Sequence, residues 1–110
     1  MNISEEEKLE IKQMLVSATN NLIEQLRDNA AEISKSDGIT EDTDTCYFDM
    51  KAYKHVTSLC FHLYNPDFTS YSKKNFWRNG TYTRDLIWAI LEEFLSPELY
   101  KKVQDYLTTN

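Results

Sequence analysis

His55 and His62, seven residues apart, together with Cys46 and Cys60, are the side chains of this sequence that could hold a metal ion. Imidazole nitrogen and thiolate sulfur are the usual ligands of structural zinc, but ligands on one helix share an ion when they are about three or four residues apart. Two turns separate the imidazoles by about 10 Å along the axis. No CxxC, HxxxH or HExxH spacing occurs, so an ion would have to gather its ligands from unrelated places. The expectation is no zinc: two histidines beside an apolar stripe, and two small free thiols with no disulfide between them.

Other chemistry fares no better. Cys60 and His62 stand two residues apart, and on a helix their side chains diverge by about 200°, which makes a poor nucleophile–base dyad. Glu92 with Glu93, and the run from Glu5 to Glu7, are adjacent acids of the kind that form solvated helix faces or favour a helix start. Two glycines in the whole chain cannot build a phosphate-cradling loop. The stretch SKSDGITEDTDT, from Ser34 to Thr45, collects acids around Gly38. A calcium loop needs acids at alternate positions with glycine sixth and glutamate twelfth, whereas here Asp37 directly precedes the glycine, so the stretch reads as a solvated loop. The residues therefore point away from an enzyme and imply no cofactor.

One segment does have a usable composition. Between residues 68 and 84, Phe68, Tyr71, Phe76, Trp77 and Tyr82 interleave with Lys73, Lys74, Arg78 and Arg84. Aromatics among cations can anchor a connecting segment to the core, form the centre of a protein interface, where Trp, Tyr and Arg dominate, or stack bases and neutralise phosphates. These nine residues are the expected partner-binding set.

The charge map sharpens that expectation. The total is −6, but residues 1–50 hold twelve acids against four bases, residues 51–84 hold six bases against Asp67, and residues 85–110 return to −3. An acidic first half with a basic island behind it suits two uses. Carboxylates can occupy the basic groove of a nucleic-acid-handling protein, as small acidic inhibitors from phages and other mobile elements do. Alternatively, antiparallel pairing of two chains could set the acidic half of one against the basic island of the other.

The elements that must position these residues are helical. At 110 residues with 41% hydrophobic and 27% charged residues, the chain suits a single globular domain, residues 1–110. Ser4 and Glu7 form a capping box ahead of Ile11, Leu15, Ala18, Leu22, Leu26, Ala30 and Ile33, which predicts a helix over residues 5–34. Its elevenfold spacings favour a straight packed helix over a zipper. At about 45 Å it outruns a domain of this size, so it either kinks near Asn20 and Asn21 or is covered by a second subunit. A second helix, capped by Asp44 or Thr45, should carry Phe48, Ala52, Val56, Leu59 and Leu63 and stop at Asn65–Pro66. A short helix from Ser72 to Arg78 should end at a left-handed Asn79–Gly80, and Thr83 should cap a strongly apolar central helix. Ser96 and Pro97 then open the last one.

The expected architecture is an all-α, compact bundle of four to five helices with a long N-terminal helix. The expected function is a small, acidic, cytoplasmic protein-binding module acting stoichiometrically as an inhibitor or regulator. A small nucleic-acid-binding regulator using the 68–84 segment is the first alternative, and a structural or assembly subunit the second. No apolar run approaches the roughly 18 residues of a membrane span, and the glutamate-rich start does not resemble a secretory leader.

Overall fold

Ser4 and Glu7 form the reciprocal cap expected of them: the Glu7 amide donates to Ser4 Oγ, and the Ser4 amide donates to Glu7 Oε1, both at 3.1 Å. From that cap the chain enters α1 (Glu5–Lys35), followed by α2 (Glu41–Tyr64), α3 (Lys73–Trp77), α4 (Thr81–Phe94) and α5 (Pro97–Thr108). The computed structural model describes residues 2–35, 41–65, 67, 71 and 73–109, with only the backbone of residues 29, 32–35 and 41–46. The fold is an all-α bundle of five helices, with the long N-terminal helix at its edge.

α5 begins as its sequence dictates. Ser96 Oγ accepts from the Leu99 amide at 3.3 Å and Pro97 occupies the first turn, where its missing N–H leaves no bond unmade. A carboxylate from α1 completes this end, because Glu10 accepts from both the amide and the hydroxyl of Ser96. Negative charge at a helix N-terminus is favourable. Farther along α5, Lys102 Nζ donates to Glu7 Oε1 at 2.8 Å. Two of the four N-terminal glutamates thus clamp α1 to α5 and are not part of a free acidic face.

The Lys102 and Ser4 hydrogen bonds hold the Glu7 carboxyl below its ordinary value of 4.5. A depressed carboxyl stabilises the fold fully above its unfolded value, and the contribution disappears as pH falls through the lower folded value. Glu7→Gln should therefore melt below the wild type at neutral pH. The two melting curves should converge as pH falls through that lowered value.

The core is one cluster. α1 contributes Ile11, Met14 and Ala18, α2 contributes Ala52, Val56, Leu59, Cys60 and Leu63, and α4 contributes Ile87, Ile90 and Leu91. Leu99, Val103 and Leu107 recur at fours from α5, and Phe76 plugs the cluster from α3. α4 has the central place its apolar sequence predicts. No described α1 side chain beyond Ala18 is buried, and none of α2 before Ala52. The long pair accordingly runs past the core, in a molecule measuring 49 × 26 × 26 Å. Thirty-one residues of helix account for that long dimension.

Three expectations are corrected. First, α2 begins at Glu41, so residues 41–45 are helix and not loop; acidic residues such as Glu41, Asp42 and Asp44 favour the positive end of a helix. The earlier start lengthens α2 enough to run beside α1, which passes Asn20 and Asn21 as one uninterrupted helix. Ser34 and Lys35 likewise belong to α1, and the rest of the proposed loop, residues 36–40, lies outside the described residues. Second, no described residue has a positive φ: Gly80 sits at φ −66°, ψ 164° as the N-cap of α4. The Asn79 side-chain amide closes α3 instead, donating to the Asn75 carbonyl at 2.9 Å and the Phe76 carbonyl at 3.2 Å, as a left-handed turn would otherwise do with backbone. Third, Thr83 does not cap α4 but is buried inside its first turn. An adjacent glycine in extended conformation serves as N-cap nearly as well as a hydroxyl.

Candidate functional site

Five residues separate the turn after α2 from the turn before α4 as helix α3, and this short helix decides which members of the aromatic-basic set face inward. Phe76 is fully buried and Tyr71 is 6% exposed, so both anchor the segment to the core. Phe76 meets Trp88 of α4 edge to face at 4.9 Å, and Trp88 meets Tyr100 of α5 at 6.3 Å. Tyr71 lies against His55 of α2, with its hydroxyl 3.2 Å from Nδ1. Burial and the charge of Lys51 push the His55 imidazole below its ordinary value, and burial drives the Tyr71 hydroxyl and the Cys60 thiol well up. A buried thiol held protonated is a poor nucleophile. Phe68 lies outside the described residues.

The remaining members form a surface at the end of α5. The last carbonyls of a helix have no partners within it, and α3 supplies them. Trp77 Nε1 donates to the Leu107 carbonyl at 2.9 Å, and Lys73 Nζ donates to the Thr109 carbonyl at 2.8 Å while sitting 4.6 Å over the Tyr106 ring. A cation at the negative end of the α5 dipole is favourable as well. These contacts leave Trp77 46% exposed. One face of its indole is covered by the Arg84 guanidinium, 5.0 Å from the ring centre, while its partner in the chain, Phe76, meets it edge-on at 5.0 Å.

The result is an indole fixed at its edge and stacked on its face, beside a depression of about 250 Å³ between α3 and the last turn of α5. Lys74 lines that depression and is exposed, and Arg78, next in the chain after Trp77, is exposed as well. Among the described residues, none of Lys73, Lys74, Arg78 and Arg84 forms an ion pair with an acid. Tyr82 is exposed too, but its ring packs edge to face on Phe48 at 5.3 Å, which ties the start of α4 to α2.

No known family model matches the chain, and neither a curated protein nor a solved structure is significantly similar to it. The reading of this surface therefore rests on its own chemistry. Among the described residues no three His, Cys, Asp or Glu side chains gather as a metal site, and no helix is long and apolar enough to cross a membrane.

The structure also divides the basic island. Lys51 and Lys54 line a separate depression with Leu26, Tyr47 and Met50 on the α1–α2 pair. Sequence reasoning missed that second surface because it assigned the elevenfold series of α1 to the core, whereas of that series Ile11 is buried and Leu26 lines this depression. The signal was present in another series: Leu9, Val16 and Ile23 recur at sevens, as do Tyr47, Lys54 and Phe61.

Proposed function

We propose that this protein is a stoichiometric binding module that docks an acidic surface of another protein against the face formed by Lys73, Lys74, Trp77, Arg78 and Arg84. The observation that carries the reading is the half-exposed Trp77, held by Leu107 and Arg84 among cations that form no ion pair with an acid among the described residues. An aromatic already fixed in place loses little entropy on docking, and buried Trp and Arg side chains supply most of the affinity of protein interfaces. Exposed cations around it would steer an acidic partner and set the salt dependence of the encounter.

A nucleic-acid ligand is less well served. Single strands are held by a row of open aromatic faces, whereas Tyr71 and Phe76 are buried here and one face of Trp77 is taken by Arg84. Inhibition or regulation of a nucleic-acid-handling protein is the form of action that the acidic first half suggests, with Glu7 and Glu10 excepted because they hold α5.

Lys74→Glu combined with Arg78→Glu tests the proposal without disturbing the fold, since both side chains are exposed. A protein partner recovered from the source cell by the wild type should be lost by the double variant at an unchanged melting temperature. Recovery of the same partner by both proteins would refute the assignment. Binding of mixed DNA and RNA oligomers with a steep salt slope would transfer this face to nucleic acid.

A further inference from the structure

The long helix pair carries a second surface. Among the described residues, six of the eight large apolar side chains left exposed belong to α1 and α2: Leu9, Val16, Ile23, Leu26, Tyr47 and Phe61. They are not scattered. At about 100° per residue, Leu9, Val16 and Ile23 share one face of α1, and Tyr47 and Phe61 share one face of α2. The two faces adjoin in an antiparallel seam, where Lys12 lies across from Tyr64 and Leu26 from Met50. Depressions of about 450, 620 and 180 Å³ follow that seam, the first two sharing Lys12 and Tyr64. From Leu9 to Leu26 the groove is about 26 Å long, the length of a helix of about 17 residues.

Its charge is opposite to that of the protein. Lys8, Lys12, Lys51 and Lys54 line the groove, and Glu5, which pairs with Lys8 at 3.5 Å, is the one acid among the described lining residues. The acids Glu6, Glu10, Glu24 and Asp28 fall together on another face of α1, turned roughly 120° or more from Lys12. An apolar floor between two antiparallel helices, rimmed by cations, matches the helix-in-groove mode of recognition. A second copy of this chain fits poorly, because a two-fold pairing of this face would set lysine rim against lysine rim.

We propose that the α1–α2 groove seats an amphipathic helix with an acidic polar face, supplied by another protein. The proposal is independent of the Trp77 face. Its probe is a synthetic helix of about 18 residues with Leu along one stripe and Glu elsewhere, compared with the same peptide carrying Lys for Glu. By fluorescence anisotropy the Glu peptide should bind at least about tenfold more tightly than the Lys peptide. Lys12→Glu with Lys54→Glu should abolish that preference, and Val16→Asp should abolish binding, with melting temperatures unchanged. Trp77→Ala should leave the peptide affinity as it was. Equal binding of the two peptides, or binding of neither, overturns the proposal. So does a wild-type dimer in sedimentation that Val16→Asp dissolves, which would give the groove to a second copy. Lysine-dependent binding to phosphatidylglycerol vesicles without peptide binding would give it to a lipid surface and overturn the proposal equally.

Discussion

Phe76→Ala should lower the unfolding free energy by about 3–5 kcal/mol, the range for removing a fully buried aromatic ring. The ring is wholly inaccessible, meets both Trp77 and Trp88 edge to face, and is the largest fully buried side chain among the described residues. Its loss would leave a cavity where α3 plugs the core, and α3 is too short to hold itself in place without that anchor. A small domain has about 5–15 kcal/mol in all, so the variant should melt far below the wild type. Denaturant titration provides the measurement. A loss under about 1 kcal/mol would mean that α3 is not seated in the core as described.

Trp77→Ala, one residue along, should have the opposite profile. The indole is 46% exposed, and beside its edge contact with Phe76 it makes a hydrogen bond to Leu107 and the Arg84 stack, the last two worth together about 1–2 kcal/mol of stability. Its larger effect should fall on binding: association with the protein partner recovered from cells should weaken by about 2 kcal/mol or more, roughly thirtyfold in Kd. Titration calorimetry and thermal melting on the same variant separate the two effects. If stability falls as far as for Phe76→Ala while affinity stays constant, Trp77 is a core residue and the proposed face is not the interface. The pair of variants is informative because the residues are neighbours in sequence and differ only in the direction that α3 turns them.

How far the sequence reaches is clear from particular elements. The capping box at Ser4–Glu7, the Ser96–Pro97 start of α5, the end of α2 at Tyr64 and the inward stripe Ala52, Val56, Leu59, Leu63 are all legible in the residue order. Caps are local, satisfied by side chains within three or four positions, and helical periodicity is a property of one segment, so neither needs knowledge of the rest of the chain. Where a local signal had two solutions, the sequence alone did not choose. Asn79–Gly80 suits a left-handed turn, but an Asn side chain folding back onto α3 satisfies the same carbonyls and frees Gly80 to start α4.

The surfaces were decided by tertiary structure. Sequence placed Tyr71, Phe76, Trp77 and the four cations in one segment, but burial of the first two depends on α2 and α4 packing against them, and the placement of the third on where α5 ends. The open carbonyls of Leu107 and Thr109 draw Trp77 and Lys73 to them, across some thirty residues of chain. Likewise, Leu9, Val16 and Phe61 are apolar by sequence yet exposed, because α1 and α2 each have two apolar stripes and the core of so short a chain covers only one of them. Residue order determines which helices form and which stripes they carry. Which stripe is buried, which cations meet an aromatic or a helix end and which aromatic is left at the surface follow from long-range packing, where each choice depends on every other helix at once.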